Sequence, residues 1–261
     1  MIKLIVSDVD GTLIRKGMLH LTPRMHELIH RMQKHNIVFC AASGRPFNGL
    51  RLEFEPEKDD IAYISESGPV GGYQGELFYN KPLDRETVIN MVKDIRSREG
   101  GNILYSQLDS TYLETQSGSR YHKYMTEELC YPVRLVPDLL ELTELCYKVA
   151  SCNFAGFARD LDFYRDKYGK DHTVVASGPY WVDVIPKDVN KGTCLQALMN
   201  KLNVSPDEVM AFGDQENDLA MLKLAKHAYA MNDSMEHVKK AAGNWTDCPE
   251  DIIENYLNSL M

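Results

Sequence analysis

The sequence predicts an α/β protein: a parallel sheet contributed by both ends of the chain, interrupted by an α+β insert. Two apolar runs predict the sheet. Residues 3–7 and 209–213 have the composition of short, fully buried parallel strands, and each leads into carboxylates, Asp8 and Asp10 after the first, Asp214 and Asp218 after the second. A change of pattern predicts the insert, because between Pro82 and Pro186 helical stretches alternate with hairpin-like strand pairs. With 261 residues, 44% of them hydrophobic, the chain can bury two cores. The expected division is residues 1–82 with 187–261 in one domain and residues 83–186 in the other.

The carboxyl ends of the strands are where open α/β sheets bind ligands. Asp8 and Asp10 would leave the same face if the first strand continued through both, and Gly11 then lets the backbone turn. Carboxylates this close repel each other; a cation between them, or a division into nucleophile and acid/base, accounts for the pair. A lone D-x-D-G is also a common solvated turn. Composition alone gives D-x-D-G-T together with the later G-D-x-x-N-D a joint chance expectation of about two in a hundred thousand, which turns the reading toward a site.

Thr22 then reads as a helix N-cap and Pro23 as the first helical residue, with Met25, Leu28, Ile29 and Met32 on the buried face. The same helix holds His26-Glu27-Leu28-Ile29-His30, a formal H-E-x-x-H. Its histidines lie beside or opposite the apolar stripe, so a solvated face is expected and not a zinc site. Residues 37–42 form the next strand, ending in Ser43-Gly44-Arg45-Pro46. A hydroxyl there can donate to a phosphoryl oxygen and Gly44 lets backbone amides approach an anion, although an ordinary strand-to-helix cap accounts for this segment equally well. Residues 61–65 make a further strand, and Gly68, Gly71, Gly72 and Gly75 punctuate a hairpin running to Asn80 without the spacing of a phosphate loop.

In the insert the expected elements are a helix over 85–98, a hairpin of 103–107 and 112–115, a second helical region, a strand over 147–153, a helix over 160–168, and strands at 173–177 and 181–185. Nine of the fourteen tyrosines lie here, and filling a small core is their expected use. On the return, Asn190-Lys191-Gly192 opens a helix whose Leu195, Leu198, Met199 and Leu202 share one face. The macrodipole disfavours a lysine at that end, so Lys191 is better explained if it meets an anion. A Ser205-Pro206 turn leads into the Gly213-Asp214 strand; Leu219 and Leu222 continue helically, and a last strand over 228–231 with terminal helices finishes the sheet.

A net charge of -9 argues against nucleic-acid or anionic-membrane partners. An anionic substrate would need positive charge concentrated locally, which Mg²⁺ and a lysine can supply. Asp8 cuts the N-terminal apolar stretch short and no apolar run approaches a membrane span, so a cytoplasmic location is expected. Six cysteines without a C-x-x-C pair are expected to be reduced thiols.

Asp8-Val9-Asp10-Gly11-Thr12, Ser43-Gly44-Arg45-Pro46, Lys191-Gly192 and Gly213-Asp214-x-x-Asn217-Asp218 together resemble, in order and spacing, the four motifs of the haloacid dehalogenase superfamily of phosphohydrolases. The Asn-Lys-Gly form of the third and the size of the insert are similar to the Cof-type branch. The resemblance spans essentially the whole chain and implies a Rossmann-like core with an inserted type 2 cap. It implies Asp8 as the nucleophile, Asp10 as the acid/base, and Ser43 and Lys191 as holders of phosphoryl oxygens, with Gly44, Arg45 and Asn217 also on the substrate side. It implies Mg²⁺ on the Asp8 carboxylate, the Asp10 carbonyl and Asp214, with Asp218 behind them or bridging through water. Where many relatives have Gly-Asn-Ala after the last strand, this chain has Met231-Asn232-Asp233-Ser234. The expected activity is hydrolysis of a small phosphorylated metabolite, a sugar phosphate by resemblance. A phosphomutase, or a phosphometabolite-sensing protein without enzymatic activity, would share most of these residues. Asp10 disfavours the sensor, since an acid/base group two residues away promotes loss of an acyl phosphate.

Overall fold

A computed structural model of the chain describes residues 1–177 and 179–260, with Ala158 and Arg159 described by their backbone alone. The chain divides into two compact units, Met1–Ser43 with Leu50–Asn80 and Asn190–Met261, and Gly44–Gly49 with Lys81–Val189. Residues 44–49, expected in the first domain, thus group with the second unit. The Lys148 ammonium donates to the Gly44 carbonyl at 2.7 Å, and the Asn48 amide donates to the carbonyls of Asp109 and Pro132 at 3.5 Å each.

The first unit opens with β1 (Leu4–Asp8), α1 (Pro23–Lys34), β2 (Val38–Ala42), α2 (Phe47–Glu53), whose first turn groups with the second unit, and β3 (Ala62–Ser65), β4 (Val70–Tyr73) and β5 (Glu76–Asn80). It resumes after the second unit with α6 (Lys191–Leu202), β12 (Val209–Gly213), α7 (Leu219–Leu224), β13 (His227–Met231), α8 (Glu236–Ala242), β14 (Asn244–Thr246) and α9 (Pro249–Asn258). Its eight strands run in the order β14-β13-β12-β1-β2-β3-β4-β5. They are parallel from β14 to β3, and β4 and β5 add an antiparallel hairpin.

Every residue of β1 is buried, as an uninterrupted apolar strand covered on both faces must be. On one face Leu4, Val6, Ile64 and Ala211 pack with Leu195 and Leu198 of α6, Met221 of α7 and Val238 of α8. α1 buries Met25, Leu28, Ile29 and Met32, and the Thr22 hydroxyl accepts from the Met25 N–H at 3.0 Å, the expected cap. One expectation fails at the sheet's edge. The sheet does not finish at residue 231; β14 pairs parallel to β13, with Tyr229 opposite Asn244. Three residues, Asn244-Trp245-Thr246, are too few to show an alternating pattern.

The second unit contains α3 (Arg85–Ser97), β6 (Gly101–Ser106), β7 (Thr111–Leu113), α4 (Arg120–Lys123) running into a π-helical turn over Tyr124–Glu128, β8 (Val133–Leu135), β9 (Lys148–Asn153), α5 (Ala158–Tyr168), β10 (His172–Ser177) and β11 (Trp181–Pro186). Its six strands run β10-β11-β9-β6-β7-β8. One sheet face carries Tyr105, Val149, Val182 and Val184, packed with Val88, Met91 and Ile95 of α3 and Tyr164 of α5. The other carries Leu104, Ala150, Cys152 and Trp181, packed with Tyr121 and Met125. Tyr105, Tyr121, Tyr147 and Tyr164 are all buried, which is the core-filling use expected of them. Strand β8 was not expected, being three residues long and following Pro132.

Candidate active site

The strand order sets the site. β1 lies between β2 and β12, both parallel to it, with Asp8 level with Ala42 and Ser7 level with Phe212. The residues just past three neighbouring strands therefore converge: Asp8 ends β1, Ser43 follows β2 and Asp214 follows β12. The strand stops at Asp8, so alternation along it does not place Asp10. Instead the N–H groups of Leu13 and Ile14 both donate to the Val9 carbonyl, at 3.0 and 2.8 Å, and this wide turn sets Asp10 beside Ser43, whose hydroxyl donates to its Oδ2 at 3.4 Å. Gly11, at φ 98°, is required here, since a Cβ would stand 2.4 Å from Asp214 Oδ2.

Lys191 is the first residue of α6, behind the Asn190 cap, and it is fully buried. Its ammonium donates to Asp8 Oδ1 and, at 2.6 Å, to Asp218 Oδ1. The anion expected to meet this lysine is thus a pair of carboxylates. Asp218 is fully engaged: its Oδ2 accepts the N–H groups of Asp214 and Gln215, each at 3.0 Å. Asp214 is steadied by Thr12, whose hydroxyl donates to its Oδ1 at 2.9 Å. Thr12 lies inside the first motif, but sequence reasoning attached no role to it.

Three carboxylates, Asp8, Asp214 and Asp218, gather around the Lys191 ammonium, and the titration of the cluster reflects it. Burial lifts the Asp8 carboxyl well above the usual carboxylate range; Lys191 opposes this, while Asp218, Asp214 and Asp10 add to it. Burial also raises Asp214, with Asp218 adding and the Thr12 hydroxyl and Lys191 opposing. Burial works against the charged form of Lys191, yet Asp218 and Asp8 outweigh it and hold the lysine above its ordinary value. One oxygen each of Asp8, Asp214 and Asp218 lies within 4.8 Å of the others, so the donor set is hard oxygen with excess negative charge. That suits a small divalent cation.

Gly44 and Arg45 fall in the second unit's segment. Asn217 stands one residue before Asp218, and its side-chain carbonyl oxygen is buried without a partner among the described residues. The sequence marks Gly68 as part of a hairpin turn after β3 but gives Glu66 and Ser67 no role. Glu66 and Ser67 are buried at φ 57° and 65°, Gly68 follows at φ 138°, the Ser67 N–H donates to the Ser43 carbonyl at 3.0 Å, and a Cβ on Gly68 would stand 2.5 Å from the Asn190 backbone. The turn therefore braces both Ser43 and the start of α6. The Met231–Ser234 loop closes on itself, Ser234 N–H donating to the Met231 carbonyl at 3.0 Å.

The H-E-x-x-H histidines, expected on a solvated face, meet a carboxylate. Glu57, with its side chain fully buried, is hydrogen-bonded to His26 Nδ1 at 2.8 Å and lies within ion-pair distance of His30 Nε2, also 2.8 Å, so the pair flanks a carboxylate from a later loop. All six cysteines are free. No helix among the described residues is long and apolar enough to cross a membrane.

Comparison with known proteins returns a family. The profile of the haloacid dehalogenase-like hydrolases matches residues 5–252. The chain is 25% identical over 243 residues to the 5-amino-6-(5-phospho-D-ribitylamino)uracil phosphatase YbjI of Escherichia coli, covering 92% of this chain and 89% of that one. Among solved structures, a Streptococcus mutans protein is 28% identical with a TM-score of 0.85, covering 99% of this chain and 100% of that one. A haloacid dehalogenase-like hydrolase from Bacteroides thetaiotaomicron is 27% identical with a TM-score of 0.86, covering 98% and 100%.

Proposed function

The chain belongs to the haloacid dehalogenase-like hydrolases, and from that premise we propose that it is a Mg²⁺-dependent phosphatase of small phosphorylated metabolites, working through a phosphoaspartate on Asp8. The observation that carries the reading is the placement of Asp8, a buried carboxylate at a strand end, held by Lys191 and level with Ala42, so that Ser43 and Asp214 follow at the ends of the two neighbouring strands. In this reading an Asp8 oxygen attacks phosphorus while the bond to the leaving oxygen breaks. Asp10 gives that oxygen its proton, then takes one from the water that cleaves the acyl phosphate and regenerates Asp8. The Ser43 hydroxyl and the third Lys191 N–H hold phosphoryl oxygens, with the Gly44 and Arg45 segment and Asn217 lining the substrate side.

The residues present fit the metal. Asp8, Asp214 and the Asp10 carbonyl would hold Mg²⁺, and Asp218, whose oxygens are engaged by Lys191 and two amides, would sit behind them. When bound, the cation offsets the repulsion between Asp8 and a phosphate dianion. Sugar and polyol phosphates are the favoured substrates, since a relative acts on a phosphoribityl compound.

Phosphate release from phenyl phosphate tests the reading. Turnover is expected with Mg²⁺ and to be lost with a chelator, and Asp8→Asn should cost on the order of 10⁴-fold in kcat with the fold intact. Asp10→Asn should accumulate phosphoenzyme from an activated aryl ester. Metal-independent turnover, or an active Asp8→Asn variant, would refute the proposal.

A further inference from the structure

The turn that follows β3 holds a strained backbone and a buried hydroxyl to which the proposed chemistry gives no role. Glu66 and Ser67 stand at φ 57° and 65°, and the Gly68 N–H closes the turn on the Ser65 carbonyl at 2.8 Å. Two successive residues in left-handed backbone are what asparagine and glycine supply most readily in a tight hairpin turn. A serine there is the costlier choice, and strain of this kind gathers where the surrounding structure fixes a residue for use.

Ser67 is flanked on both sides by the residues assigned to phosphoryl oxygens. The Ser43 N–H donates to the Ile64 carbonyl at 2.8 Å and the Ser67 N–H to the Ser43 carbonyl at 3.0 Å, so β3 and its turn hold both backbone groups of Ser43. On the other flank, a Cβ on Gly68 would stand 2.5 Å from the carbonyl carbon of Asn190, the residue before Lys191. All of these residues belong to the first unit. Ser67 itself is 3% exposed, and its hydroxyl is buried with no hydrogen-bond partner among the described residues. A buried hydroxyl without a partner carries an uncompensated desolvation cost, which an acceptor oxygen removes. We propose that the Ser67 hydroxyl donates to an oxygen of the transferring phosphoryl group, beside Ser43 and Lys191. The proposal rests on the phosphatase reading and adds a donor to its site.

The test is the steady-state hydrolysis of phenyl phosphate by the full chain with Mg²⁺, with inorganic phosphate as competing product. In Ser67→Gly, kcat/KM should fall about tenfold to a hundredfold and the inhibition constant of inorganic phosphate should rise about tenfold, as for loss of one donor to a charged oxygen. Glycine adopts φ 65° without strain, so this variant keeps the fold and its Tm should equal or exceed that of the wild type. Ser67→Ala keeps the strain and lacks the hydroxyl, and should lose the same factors. Unchanged constants in Ser67→Gly would overturn the inference. So would a loss there that folded Ser67→Ala does not share, since the effect would then belong to the backbone. A wild type that releases no phosphate from phenyl phosphate would instead overturn the phosphatase reading, and this inference with it.

Discussion

Lys191 carries the charge balance of the site. Its buried ammonium pairs with both Asp8 and Asp218, so Lys191→Met leaves two buried carboxylates without it. Removing one partner of such a pair costs about 3–5 kcal/mol. Urea unfolding of the metal-free variant should show a loss of that size, partly restored by Mg²⁺; unchanged stability would mean that the ammonium is not the counter-charge. The carboxyls make a second prediction. Asp8 and Asp214 are both raised in the folded state, so the native chain binds their protons more tightly than the unfolded one. That contribution is complete below the unfolded carboxylate value of about 4 and is lost as pH rises through the folded values. The metal-free Tm should therefore fall with rising pH relative to Asp214→Asn, and Mg²⁺ should stabilise more at pH 7 than at pH 5. Parallel pH profiles for the two proteins would count against this.

The helix that delivers Lys191 is held by close backbone approach. A Cβ on Gly192 would stand 2.7 Å from both the Ala220 carbonyl carbon and its Cβ, so Gly192→Ala must push α6 from the segment opening α7. Overpacking of this kind costs about 1–3 kcal/mol. Because the shift moves Lys191, kcat should fall more than KM rises, and a variant that loses stability with full kcat would separate the helix from the chemistry. The elements were legible unevenly. The central strands read clearly because burial on both faces makes them continuous apolar runs, and α6 read clearly because its cap and face are regular. Strands β8 and β14, three residues each, are too short for a period of two to show. The partner of His26 lies 31 residues along the chain, where no local pattern points to it. Nor does anything in Ser65-Glu66-Ser67-Gly68 announce two non-glycine residues in left-handed backbone, which only the packing against Ser43 and Asn190 imposes. The candidates Asp8, Ser43, Lys191 and Asp214 are legible because each stands at a strand or helix end, whereas Thr12 is bonded to a side chain 202 residues distant in sequence.

For the whole molecule, the packing of an apolar cluster in the first unit predicts what excision would do. Its buried members come from residues 4–64 and 194–238, with none from the insert. Deleting residues 83–186 and bridging the gap with a short Gly/Ser linker should therefore leave a folded core. That core should keep phenyl phosphate hydrolysis far better than hydrolysis of a polyol phosphate, measured as kcat/KM. Equal losses in a folded core would remove the insert from specificity. The eight-stranded sheet has a further consequence at its margins. A strand at the rim of a sheet offers unpaired amides and carbonyls to any other chain, and long flat rims seed fibres. Here one rim is β14, three residues long, and the other is β5, which carries Glu76 and leads within two residues to Pro82. Between Gly71 and Gly72 the register of the hairpin also slips, bending that rim out of plane. Neither margin offers a second molecule a straight run on which to add a strand, so crowding should drive little end-to-end polymerisation of the folded protein.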